Sequence, residues 1–191
     1  MTMERRIILG VSGASGAVLA WRAAKALKEQ GAELHMVVSD AAARTWEIET
    51  GRPLSDLTNL ANRLYDNRNP AASIASGTFR TMGMLIVPCS MKTLAGIVTG
   101  YADNLLLRAA DVCLKEGRKV VLCPRETPLG KAHLRNLCAA ADLGCAIVPP
   151  MLSFYSGQET AEDQIHHIVG KLLAQFDLEY PAFRTWERAE R

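Results

Sequence analysis

The residues of this chain able to do chemistry begin with Gly10-Val-Ser-Gly-Ala-Ser-Gly16, which sits between the apolar run Ile7-Ile-Leu9 and the amphipathic run Ala17 to Lys28. That order reads as strand, glycine turn and helix. Glycines at 13 and 16 let the backbone approach an anion closely, and Ser12 and Ser15 add hydroxyl donors. The open amides and positive dipole end of the following helix favour negative charge. A phosphate is therefore expected in the turn; the alternative is a turn of small residues that merely packs strand against helix.

The spacing limits what the phosphate can be attached to. It is not Gly-x-Gly-x-x-Gly, and no Gly-Lys-Ser/Thr follows, so the dinucleotide and nucleoside-triphosphate fingerprints are both absent. A mononucleotide, FMN above all, fits better.

Further candidates stand where other short apolar runs end. Strands are expected at Arg6–Val11, Glu33–Val38, Met84–Pro88, Lys119–Cys123 and Ala146–Val148, most of them continuous apolar runs of the kind buried on both faces of a parallel sheet. Helices are expected at Ala17–Gln30, Asp40–Thr50, Thr93–Val98, Asn104–Glu116, Lys131–Leu143 and Ala161–Phe176, the last with Thr160 as cap and Asp163 three residues on. Strand alternating with helix implies a doubly wound sheet, with ligands beyond the carboxyl ends of the strands. At those ends lie the glycine turn, Ser39, Pro88-Cys-Ser-Met-Lys-Thr93, Pro124-Arg-Glu-Thr-Pro128, and Pro149-Pro-Met with Phe154-Tyr155. Singly, Ser39 and Ser90 read as helix caps, Arg125 and Glu126 as a surface pair, and Tyr155 as a core-edge aromatic. Together they converge on one rim.

Composition frames this. With 191 residues, 49% apolar, 22% charged and a net charge of +2, the chain is expected to form one domain over 1–191 with ample core. The scattered charge supplies no reason to expect nucleic acid, and no apolar stretch is long enough for a bilayer. A cytoplasmic protein is expected. Five cysteines, odd in number and without Cys-x-x-Cys spacing, read as buried thiols rather than disulfides or a zinc site. His166 and His167 point about 100° apart on a helix, which argues against a shared metal.

Taken in order, GVSGASG, Ser39-Asp-Ala-Ala with Glu49-Thr50, Pro88-Cys-Ser-Met-Lys-Thr-Leu-Ala-Gly, Arg108-Ala-Ala-Asp-Val-Cys-Leu-Lys115-Glu, Pro124-Arg-Glu-Thr-Pro-Leu and Pro149-Pro-Met with Phe154-Tyr155 resemble the UbiX family of flavin prenyltransferases over nearly the whole chain. The resemblance implies a flavodoxin-like, three-layer, doubly wound parallel α/β fold. It also implies binding of FMN and dimethylallyl monophosphate, transfer of the five-carbon unit to the isoalloxazine ring, and closure of a fourth ring. The product, prenyl-FMN, would serve a separate UbiD-type aromatic acid decarboxylase, in ubiquinone synthesis or in the decarboxylation of phenolic acids.

The resemblance also implies roles for single residues. Gly13, Ala14, Ser15, Ser39, Ser90, Met91, Lys92, Thr93 and Arg125 would contact FMN, and Tyr155 would hold the prenyl phosphate. Lys115, on the same helix as Arg108, would reach that phosphate across a subunit boundary of a dodecamer. Cleavage of an allylic carbon–oxygen bond leaves a delocalised cation and a phosphate, so cations must meet the leaving group and electron-rich faces the carbocation. Arg108, Lys115 and Lys171 suit the first task; the flavin and Trp186 suit the second. The second bond requires loss of a ring proton, for which Glu49, Glu126 or the released phosphate is the base, with Ser15 as a relay. A monophosphate leaving group needs no metal, and no Asp-rich motif is present. Lys171 stands where the family usually carries arginine, and Ser156 where histidine is common; a point charge there replaces a bidentate fork. Two other classes remain open: an FMN-binding accessory or carrier subunit of a decarboxylase, and a redox flavoprotein decarboxylase of related fold.

Overall fold

The computed structural model describes residues 5–154 and 160–185. Tyr155, Ser156 and Trp186 lie outside the described residues.

Apolar runs become six parallel strands: β1 (Arg6–Val11), β2 (Glu33–Val38), β3 (Arg63–Tyr65), β4 (Gly83–Cys89), β5 (Lys119–Pro124) and β6 (Ala146–Ile147), in the order β3-β2-β1-β4-β5-β6. The helices are α1 (Ala17–Glu29), α2 (Asp40–Thr50), α3 (Ser55–Thr58), α4 (Met91–Thr99), α5 (Leu105–Lys115), α6 (Lys131–Asp142) and α7 (Ala161–Ala174). Side chains alternate along each strand. Ile7, Leu9 and Val11 therefore pack with Leu34, Leu85 and Val121 under α1, α2 and α7, while Ile8, Met84, Ile86 and Leu122 pack under α4, α5 and α6 on the opposite face. Both faces are covered, which gives three layers and explains why the strands read as continuous apolar runs.

One strand was not expected. β3 pairs through His35↔Arg63 and Val37↔Tyr65, yet Arg63 and Leu64 are exposed and only Tyr65 is buried, so this edge strand has no apolar run to announce it. It is tied down instead by the Tyr65 hydroxyl, which bonds His35 Nδ1 at 2.8 Å and Ser73 Oγ at 2.6 Å. Without β3 the order is that of a flavodoxin sheet; with it, the order is 3-2-1-4-5-6.

The order places the topological switch between β1 and β4. From β1 the chain winds outward through β2 and β3, then returns to β4 on the other side, so the loops leaving β1 and β4 part and open a crevice. Of the cysteines, Cys89, Cys113, Cys123 and Cys145 are buried as expected, but Cys138 is exposed, because α6 buries only Ala140 fully and turns most of its surface outward. Burial pushes Cys113 and Cys145 up to about 11 and Cys123 up to about 12, so these thiols are protonated and inert.

Candidate active site

The crevice is held open by a hydroxyl. Ser12 Oγ donates to the Pro88 carbonyl at 2.9 Å and accepts the Ser90 amide at 2.7 Å, bridging the ends of β1 and β4. Ser12 is buried, so it fastens the two strand ends and is not the free phosphate donor expected from its place in the glycine turn.

Next to this bridge lies a cleft of about 380 Å³ lined by Gly13, Ser39, Asp40, Ala41, Asn67, Ser90, Lys92, Thr93 and Asn104. Three helices, α2, α4 and α5, begin on it. Ser39 Oγ accepts the Ala42 amide at 3.1 Å to cap α2, and Ser90 Oγ accepts the Thr93 amide at 3.2 Å to cap α4. The cap readings of both serines are correct, and the same residues line the cleft. The amides of Asp40, Ala41, Met91 and Lys92 precede the first intrahelical bond of their helices and carry the positive dipole ends. Gly13 is tightly placed against the start of α2: a Cβ there would lie 2.4 Å from Ala41 Cβ. Lys92 adds a full charge from an exposed position.

Asn67 is a cleft residue that the sequence did not announce. Its backbone carbonyl accepts the Leu105 amide at 2.8 Å and its Oδ1 the Leu106 amide at 2.9 Å, while Asn104 Oδ1 accepts Leu107 at 3.0 Å. These contacts satisfy the first turn of α5, which therefore offers no anion site. An asparagine in Asp-Asn-Arg-Asn reads as turn chemistry, and only the fold brings it to a helix start 38 residues later.

The α1 terminus differs from expectation. The Glu49 carboxylate, from the last turn of α2, accepts the Gly16 amide at 3.0 and 3.2 Å and the Ala17 amide at 2.8 Å. Partial burial pushes this carboxyl up, but hydrogen bonds from the Ser15 hydroxyl and the Ala17 and Gly16 amides, with the nearby Arg125 guanidinium, outweigh that, and its pKa is lowered. The Ser15 hydroxyl and the Gly16 and Ala17 amides, which a phosphate in the turn would use, are thus taken by an ionised acid. The helix starts left open on this crevice are those of α2 and α4, with Gly13 packed against Ala41 beside them.

Three of the remaining candidates line two further cavities. Arg125 and Glu126 line one of about 280 Å³ with Met91, Leu129, Pro149 and Met151. Glu126 Oε1 accepts its neighbour Thr127's amide at 3.0 Å, so the expected surface pair with Arg125 is replaced by a local turn bond. Lys171 lines the other, about 520 Å³, with Ser153, His167 and apolar residues from Ile147 to Phe154. Arg108 pairs with Asp111 at 2.5 Å and Lys115 lies 3.8 Å from Glu116. The α5 start, at Leu106 and Leu107, faces the first cleft, but Lys115 is the last residue of that helix, two turns away toward the amino ends of the strands. One chain does not bring Lys115 to its own crevice. His166 bonds the Tyr180 hydroxyl at 2.5 Å and Glu162 at 3.1 Å, whereas His167 packs on Phe183. Among the described residues no group of three His, Cys, Asp or Glu side chains could hold a metal.

Residues 1–176 match the family model described as Flavoprotein. A probable UbiX-like flavin prenyltransferase of Sedimentibacter hydroxybenzoicus is 55% identical over 183 residues, covering 95% of this chain and 97% of that protein. The crystal structure of a dodecameric FMN-dependent UbiX-like decarboxylase from Escherichia coli O157:H7 superposes with a TM-score of 0.93 at 50% identity, covering 95% of this chain and 98% of that one. That of AnUbiX in complex with FMN and dimethylallyl pyrophosphate gives 0.94 at 43% identity, over 96% and 97% of the two chains. The switch-point crevice, the helix starts beside it and these likenesses over almost the full length agree: the chain belongs to the UbiX-like flavin prenyltransferases within the flavoprotein family.

Proposed function

We propose that this protein joins the dimethylallyl group of dimethylallyl monophosphate to reduced FMN, making prenyl-FMN for a UbiD-type decarboxylase. The observation that carries this reading is the Glu49 carboxylate, fixed on the α1 amides beside a cleft whose positive ends come from α2 and α4. The cleft suits the FMN phosphate: Ser39, Ser90, Met91, Lys92 and Thr93 surround it, with Gly13 beneath. Ala14, Ser15 and Arg125 then face the ring. When the allylic C–O bond breaks, its electron pair leaves with the phosphate and a flavin lone pair closes the new bond to carbon. The second bond releases a ring proton. Glu49 is ionised and hydrogen-bonded to Ser15, so it accepts that proton, directly or through the hydroxyl.

The donor's phosphate falls to Tyr155 and Lys171, with Arg108 and Lys115, both on α5 across the sheet from α7, coming from a neighbouring subunit. Lys115 stands too far along α5 to serve its own crevice, and the E. coli O157:H7 relative is dodecameric; a shared site reconciles the two. Trp186 adds an aromatic face for the carbocation. The AnUbiX relative was solved with a pyrophosphate, so both donors are compared. No helix among the described residues is long and apolar enough to cross a membrane, and with all five thiols free we read the whole chain as one cytoplasmic domain. Incubation with reduced FMN and either dimethylallyl monophosphate or pyrophosphate, followed by mass spectrometry of the extracted flavin, tests the reading. A five-carbon increase with the monophosphate is expected; unchanged flavin with both donors would leave a carrier or redox role.

A further inference from the structure

The wall of the 520 Å³ cavity opposite α7 is the segment that leaves β6, and a side chain of α7 fastens it. Gln164 Oε1 accepts the Ser153 amide at 2.8 Å, and Gln164 Nε2 donates to the Ser153 carbonyl at 2.7 Å. Both residues are buried, at 8% and 7% exposure. The carboxamide thus reproduces one rung of a β-ladder between helix and loop, with both directions of the bond used.

The rung stands in register with the cation. Gln164, His167, Ile168 and Lys171 fall at i, i+3, i+4 and i+7, one stripe of α7, and the last three line the cavity. Met151, two residues before the clamped Ser153, lines this cavity and also the 280 Å³ cavity of Arg125. The clamped segment is therefore the partition between the Arg125 side and the Lys171 side. Its distance from the Lys171 ammonium is set by the Gln164 rung, about 10 Å down the same helix. An ammonium on one wall and Met151, Leu152 and Phe154 on the other suit a ligand with a small anionic head and a short hydrocarbon.

We propose that Gln164 is a positioning residue for the prenyl donor, holding the apolar partition at the separation from Lys171 that the ester requires. This rests on the transferase reading. Gln164→Met removes the two bonds to Ser153 at similar side-chain volume. It should raise KM for dimethylallyl monophosphate about tenfold, the scale of one or two lost neutral hydrogen bonds. The same variant should leave kcat within about threefold and FMN affinity, by fluorescence titration, within about twofold. Gln164→Glu supplies a second test: its neutral acid can accept and donate as the amide does, whereas its anion repels the Ser153 carbonyl. The ratio of its KM to that of the parent should fall as pH is lowered from about 8 to about 6, because burial raises a carboxyl's pKa. An unchanged donor KM in both variants, or an FMN affinity lost in step with it, would overturn the positioning role. A parent enzyme that prenylates no flavin would overturn the transferase reading, and this proposal with it.

Discussion

Glu49 closes the start of α1 from the far end of α2: its Oε2 lies 2.8 Å from the Ala17 amide, so a helix terminus that would otherwise attract phosphate is neutralised by the chain's own acid. The same contact keeps an ionised carboxylate beside Ser15 at the mouth of the crevice. One residue thereby occupies the α1 amides and holds a negative charge beside Ser15.

Replacing Glu49 by Gln should leave FMN bound while completion of the fourth ring slows by at least about a hundredfold, since the amide cannot accept a proton. Rapid-quench mass spectrometry of the flavin reads this out; a normal rate of ring closure in the variant assigns the proton to Glu126 or to phosphate.

The same carboxylate makes stability depend on pH. Its folded pKa lies below the ordinary 4.5, so its contribution is fully present above that value and is lost as pH falls through the lowered one. The variant should be less stable than the parent by about 1 kcal/mol at neutral pH, the usual worth of a helix cap. Thermal melts at a series of pH values should show the gap closing only below the normal carboxylate range.

Ser12→Ala removes the bridge between β1 and β4 and strands the Ser90 amide. A cost of about 1–3 kcal/mol is expected, with weaker FMN binding because the α4 start loses its fixed place beside Gly13. Urea unfolding and flavin titration measure the two effects separately.

Gly13→Val should abolish FMN binding in a folded protein. A Cβ at 13 would already lie 2.4 Å from that of Ala41, so the turn and the start of α2 must part and the floor of the cleft is filled. Quenching of FMN fluorescence at parental affinity would show that the phosphate sits elsewhere.

Lys115→Ala should cripple prenylation in a homogeneous enzyme, and mixing it with subunits inactivated at Tyr155 should restore some sites with every group intact. Lys171→Arg should hold or improve donor affinity, since a guanidinium meets phosphate oxygens in pairs. Sedimentation establishes the assembly and donor KM the affinity; a monomer, or no recovery after proven subunit exchange, excludes the shared site.

Much of the molecule is legible in the sequence because its signals are local. The continuous apolar runs of β1, β2, β4 and β5 mark strands buried on both faces, and Ser39, Ser90 and Thr160 mark helix starts, each confirmed by a side chain accepting the amide three residues on. The crevice at their carboxyl ends follows from strand–helix alternation alone. What the sequence left undecided depends on partners distant along the chain. β3 carries no apolar run because it is an edge, recognisable only from its pairing with β2. Ser12 and Glu49 look like a free donor and a free base until the fold sets Pro88, Ser90 and the α1 amides against them. Residue type determines what a side chain can donate or accept; tertiary structure alone decides which of those capacities is already spent, because an amide occupied by a carboxylate 32 residues away has nothing left for a ligand.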